Sequence, residues 1–320
     1  MTGESEMRAK GLLLTLLAAL PLCAAGDAHK PTEFDGTIYK VYYLGGQSNM
    51  DGYGFNSELP KGAVTKKQRA MIFTGQVALD NKMHGGVGVW QRLQPGFGTG
   101  FQSDGVTNTL SDRFGPELLF GQTMTEASGE TGVAIIKYAL GGSGLADGVG
   151  YGNWYPDFTD GEGVSQYDHA LKPLRNAFSE RDIDGDGKVD RLVPAGIVWM
   201  QGEADAYQNK DAANAYRGNL ERMMNLLRAA MRVDDLPVVI GRITDSGMSD
   251  DGSMMDHIEI VQRAQRDYVD DDTCAAYVTV TDGMAYLDDG WHYDSDWYIR
   301  MGTAFARAMI ALEGECGFEG

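Results

Sequence analysis

Basic residues are scarce in this chain: Lys and Arg number 27 against 46 Asp and Glu, for a formal net charge of −19. A polyanion such as nucleic acid, or an anionic membrane surface, would be repelled, so neither is expected as a partner, and neutral or weakly charged substrates fit better. Cysteine is nearly absent, with three in 320 residues and no Cys-x-x-Cys, so neither a dithiol redox motif nor a zinc ribbon is present. The five histidines, His29, His84, His169, His257 and His292, show no zinc-type spacing. There is no P-loop, and "GFGTG" at 96–100 has no strand before it or helix after it, so it is not a nucleotide fingerprint. No repeat period or low-complexity stretch interrupts the chain.

Long apolar runs are also missing. The one near the start, "GLLLTLLAALPLCAA" at 11–25, is too short to span a bilayer comfortably. Arg8 and Lys10 precede it and small residues end it, which is the layout of a secretory signal. Residues 1–26 are therefore expected to be a signal peptide, cleaved between Cys23 and Ala28, and 30–320 a single domain that is secreted or periplasmic. Cys274 and Cys316 then remain, either paired so as to tie the tail to the body or present as two buried thiols.

An apolar fraction of 43% is enough to build a sizeable core. Its segments alternate in kind. Strands are expected at 37–44, 132–140, 195–200, 237–243 and 276–281, as short continuous apolar runs. Helices are expected at 115–127, 167–178, 211–232, 256–269 and 295–312, with Pro173 kinking or restarting the second and Ser295 capping the last. This alternation calls for a five-stranded parallel sheet covered by helices on both faces, with ligands gathering beyond the C-terminal ends of the strands. Residues 84–110 fit no element. Their glycine-rich loop carries Trp90, Phe97 and Phe101, which could stack on a sugar ring or tuck into the core.

Four polar motifs follow strands in order: "GGQSNM" with Ser48, "ALGGSG" with Gly141 and Gly142, "WMQGEAD" with Gln201, and "DDGWHYD" with Asp289 and His292. A serine hydroxyl needs an adjacent base to attack an ester, and a histidine held by a carboxylate supplies one. Asp289 and His292 lie three residues apart, a spacing that one tight turn can close. The oxyanion formed on attack needs preorganised donors. The backbone N–H groups of Ser48 and Gly142 and the side-chain amide of Gln201 are the candidates, with Gly141 as an alternative to Gly142. Glu203 and Asp205 are expected to hold their loop without taking part in the chemistry.

"GQSNM", "FGPELLFG", "GGSG", "QGEAD" and the late Asp-x-x-His together resemble the sialate O-acetylesterase and acetylxylan esterase group of the SGNH hydrolases, carbohydrate esterase family 6 and its relatives. The likeness runs from about Thr37 to Ala311. It implies a flavodoxin-like αβα sandwich and metal-independent deacetylation of carbohydrate. Ser48 would be the nucleophile, His292 the base and Asp289 its partner, with Gly142 and Gln201 completing the oxyanion hole. The chain departs from the group where "GGSGLADGVGYGNW" delays the expected tryptophan to Trp154.

A separate motif, "DIDGDGKVD" at 182–190, matches the first part of a calcium-binding EF-hand loop. Asp182, Asp184, Asp186, the Lys188 carbonyl and Asp190 would be ligands of a structural Ca²⁺, although Val193 stands where the usual bidentate Glu would be. The sequence thus reads as a secreted serine esterase acting on an acetylated carbohydrate and needing no cofactor for catalysis. The alternatives are an esterase for non-sugar acyl esters and a calcium-braced carbohydrate-binding protein without turnover.

Overall fold

A computed structural model describes residues 34–316. The expected signal segment and its cleavage point lie outside the described residues. All five expected strands form, as β1 (Ile38–Gly46), β4 (Gly132–Ala139), β5 (Arg191–Met200), β6 (Val238–Gly241) and β7 (Ala275–Val278). Two more extend the sheet: β2 (Met71–Thr74), parallel to β4, and β3 (Trp90–Arg92), antiparallel to β2. The order across the seven-stranded sheet is β7-β6-β5-β1-β4-β2-β3. Counted among themselves, the five expected strands run 2-1-3-4-5, the flavodoxin-like order. β1 is the central strand, with parallel neighbours on both sides, and its apolar stretch Val41–Leu44 is buried, as a strand covered on both faces requires.

The long helices are α2 (Glu117–Ala127), α3 (Gln166–Ser179), α5 (Lys210–Met231), α6 (Ile258–Asp271) and α7 (Ser295–Glu315); α1 (Ser48–Asp51) and α4 (Glu203–Ala206) are single turns. α2 packs with α7, and α5 packs with α6 and α3, so helices cover both faces of the sheet in an αβα sandwich. No described helix is long and apolar enough to cross a membrane. α3 runs on through Pro173, which neither breaks nor restarts it. The cap of α7 is Asp294, whose side chain accepts the Trp297 N–H at 3.2 Å; Ser295 is the first helical residue instead. Pro194 occupies a stretch of β5 that pairs only with β1, and the register slips one residue beside it before β6 joins at Ile197. A proline is tolerated there because no ladder bond on the β6 side is lost.

Cys274, just before β7, is disulfide-bonded to Cys316 at the end of α7. Of the three aromatics in the 84–110 loop, Phe97 and Phe101 are buried in the core, so that loop does not supply an aromatic binding face. Trp90 is half-buried in β3, with its Nε1 donating to the Ala177 carbonyl at 3.2 Å.

Candidate active site

β1 ends on two glycines because nothing larger fits. Gly46 has φ +146°, and a Cβ there would meet the Met200 carbonyl oxygen at 1.9 Å. Gln47 then staples the ends of β1 and β5, its N–H donating to Met200 O at 3.0 Å. The chain turns at once into α1, and Ser48 opens that turn on the wall of a cavity of about 640 Å³. As a first-turn residue, Ser48 has a backbone N–H with no partner inside its helix. Below the turn, the buried Lys137 ammonium pairs with Glu117 at 2.8 Å and donates to the carbonyls of Asp51 (2.6 Å) and Phe97 (2.8 Å), fixing α1 to β4 and α2.

Gly141 and Gly142, beyond β4, line the same cavity. A Cβ on Gly141 would stand 3.5 Å from the Ser48 Cβ, so the glycine backbone directly faces the serine. The delayed Trp154 returns to this motif: its Nε1 donates to Ser143 Oγ at 2.8 Å, while the intervening residues bulge outward and leave Tyr151 81% exposed at the cavity rim.

Asp289 and His292 occupy one tight turn after β7, closed by Leu287 N–H donating to His292 O at 2.8 Å. Asp289 Oδ2 meets His292 Nδ1 at 2.7 Å, and its Oδ1 accepts the N–H groups of Trp291 (2.8 Å) and His292 (3.0 Å). Partial burial works against ionisation of this carboxyl, but the His292 ring and the two N–H donors outweigh it and hold Asp289 below the usual carboxylate range. With Nδ1 engaged, Nε2 is the ring nitrogen left for a reacting group. His292 lines the cavity with Ser48, and the Tyr53 ring lies flat on the imidazole, centroids 3.5 Å apart and planes 5° apart.

Gln201 is not where the sequence expectation puts it. Its side chain is fully buried, and Nε2 donates to Ser143 O at 3.0 Å and to Asp205 Oδ2 at 2.7 Å, so both of its N–H bonds are already committed. Gln201 braces the glycine loop from behind instead of donating into the cavity. Asp205 assists by accepting the Leu145 and Ala146 N–H groups at 2.9 Å each. Burial pushes Asp205 up to about 6 in spite of these hydrogen bonds. Glu203, raised by burial, accepts Asn49 Nδ2 at 2.9 Å.

Asn49 escaped the sequence reading although it stands beside Ser48. Its Nδ2 also donates to Trp291 O at 3.1 Å, and its Oδ1 accepts from Tyr298 at 2.8 Å. One buried side chain thereby locks the serine turn to the histidine turn 242 residues away in sequence. Tyr53, four residues after Asn49, belongs to no motif in the sequence. The aromatic rim of Tyr151, Tyr207 and Trp291 had no local signal.

In the acidic loop, Asp182, Asp184 and Asp190 each bring one carboxylate oxygen within 4.8 Å of the others. Asp186 does not join them. It turns to Lys188, accepting its N–H at 2.9 Å and pairing with its ammonium at 3.3 Å. Asp190 is pushed up by burial and by the neighbouring Asp184 and Asp182, although Thr37 and Ile183 N–H groups bond it.

The carbohydrate esterase family model described as sialic acid-specific acetylesterase matches residues 38–311. No curated protein matches the chain. Among solved structures, a protein of Arabidopsis thaliana superposes with a TM-score of 0.58 at 18% identity, covering 85% of this chain and 98% of that one. A carbohydrate acetylesterase from Xanthomonas citri gives 0.56 at 16% identity, covering 87% of this chain and 57% of that one. NanS gives 0.55 at 15% identity, covering 87% and 98%. At these identities the likeness is one of fold.

Proposed function

The chain belongs to the sialic acid-specific acetylesterase family of carbohydrate esterases, and from that premise we propose that it removes O-acetyl groups from carbohydrate through Ser48, His292 and Asp289. The observation that carries this reading is the Asp289–His292 pair, bonded at 2.7 Å and opening on the same cavity as Ser48. Ser48 Oγ attacks the acetyl carbonyl as His292 Nε2 takes its proton. The oxyanion is held by the N–H groups of Ser48 and Gly142, each such donor being worth roughly 3 kcal/mol in the transition state. The imidazolium, stabilised by Asp289, then gives its proton to the departing sugar oxygen. That leaves an acetyl-Ser48 ester, which water attacks with His292 as base, releasing acetate.

The same reading takes residues 1–26 as an export signal before one esterase domain over 30–320. The Cys274–Cys316 disulfide supports it, since such bonds persist in oxidising compartments. It also keeps a structural calcium at Asp182, Asp184 and Asp190, outside the chemistry; added calcium should then raise the melting temperature and a chelator should lower it.

The deciding test is acetate release by wild type and by Ser48→Ala on O-acetylated sugars and on p-nitrophenyl acetate. A loss of at least about 10³-fold in kcat is expected, the scale on which acyl-transfer nucleophiles are missed. Turnover that survives in Ser48→Ala would remove the proposed nucleophile.

A further inference from the structure

The cavity carries information about the substrate's charge. Resting on the esterase reading above, the geometry points to an uncharged acetylated sugar ring as the substrate, held between Tyr151 and the Tyr207–Trp291 pair, and to discrimination against glycans that carry a carboxylate.

Tyr151 is 81% exposed and Tyr207 43% exposed, both on this cavity, and Tyr207 meets Trp291 edge-on with centroids 5.3 Å apart. Large aromatics left open to water at a cavity mouth mark a binding surface. Their faces suit the C–H face of a pyranose, and the tyrosine hydroxyls suit its hydroxyl groups. Tyr151 also packs against Gly142, where an added Cβ would meet its ring at 2.5 Å, so a ring stacked on it lies next to a proposed oxyanion donor.

Carboxylate recognition normally uses an Arg fork or a Lys ammonium. No Lys or Arg is among the described residues lining the cavity, and its one basic group, His292, must be neutral to act as base. Arg113 approaches from behind but is committed elsewhere, with Nη1 donating to Tyr53 O at 2.6 Å and its guanidinium 3.4 Å over the Phe55 ring. The charge closer at hand is negative: Asp289, held ionised by its three donors, is behind His292. A net charge of −19 adds a repulsive field at longer range. A sugar carboxylate in this cavity would give up its hydration and gain no cation.

A matched pair of substrates tests this: O-acetylated N-acetylneuraminic acid and the same sugar with its carboxylate converted to the amide. An O-acetylated neutral xylo-oligosaccharide is run beside them. Acetate release is measured at low and at physiological ionic strength. The amide should exceed the acid at least about 10-fold in kcat/KM, the effect of 1.4 kcal/mol. The gap should narrow as salt screens the charge, and the neutral oligosaccharide should side with the amide. Tyr151→Ala should raise KM for the amide and the oligosaccharide several-fold, and an unchanged KM would overturn the stacking role. Acid turned over as fast as amide, or faster, would overturn the inference while leaving the esterase reading intact. No acetate from any sugar, with p-nitrophenyl acetate untouched as well, would overturn both.

Discussion

Asn49 and Tyr53 hold the two halves of the site in register without touching the reacting atoms in the proposed mechanism. Asn49 joins the serine turn to the Trp291 carbonyl, and Tyr53 presses on the open face of His292. A displacement of about 1 Å at a reacting group typically lowers rate on the order of 10²-fold. Asn49→Ala should therefore cut kcat by about that factor and alter KM much less. It should also lower stability by about 2 kcal/mol, because buried Glu203 loses its hydrogen-bond donor. Tyr53→Phe keeps the stacked ring and should retain most activity, whereas Tyr53→Ala should lose roughly 10-fold in kcat for want of a fixed imidazole. Equal losses in Phe and Ala would show that the hydroxyl, not the stacking, matters.

Among the elements, α2 and α7 approach so closely that Gly302 leaves no room for a side chain: a Cβ there would meet Pro116 O at 2.2 Å and Phe120 N at 2.9 Å. Gly302→Ala must push the helices apart, and the urea midpoint should report a loss of about 1–3 kcal/mol even though alanine is the better helix former. The single turn α4 carries a pH dependence of its own. Asp205 has a folded value of about 6, above its ordinary value. Its contribution to stability is complete below the ordinary value, near pH 4, and is lost as pH rises through about 6, because the folded chain holds a proton that the unfolded chain gives up. The loss is on the order of 3 kcal/mol. Denaturation midpoints between pH 4 and 7 should fall more steeply for wild type than for Asp205→Asn; parallel curves would mean that the hydrogen bonds from Leu145, Ala146 and Gln201 already ionise Asp205.

For the molecule as a whole, the Cys274–Cys316 bond closes a loop with a sequence separation of 42, which contains the whole histidine turn and all of α7. Chain-entropy arguments give such a cross-link up to about 4 kcal/mol. Cys316→Ser, or reduction of wild type, should lower the melting temperature by several degrees and leave kcat nearly unchanged, since the site is at the opposite end of α7. If the bond contributes nothing, oxidised and reduced protein should melt together.

By itself, the sequence determined the five central strands, their parallel sense, the placing of Ser48 and Gly142 just past strand ends and that of His292 in the loop after the last strand. Those follow from local periodicity and from the requirement that a sheet covered on both faces be apolar throughout, as Val41–Leu44 and Ile135–Ile136 are. The outer strands β2 and β3 were illegible: β3 is three residues inside the glycine-rich loop, and the apolar run of β2 stops at Gly75 and Gln76, whereas those of the equally short β6 and β7 continue to Ile243 and Val280. Side-chain direction was decided only by tertiary contacts. Gln201 turns inward because Asp205 and the Ser143 carbonyl offer buried partners that water cannot replace; Phe97 and Phe101 turn inward because the core has room for them; Asp186 turns to Lys188 and away from the other acids. The rim of Tyr151, Tyr207 and Trp291 likewise exists only in three dimensions, where three separate loops meet beyond one end of the sheet.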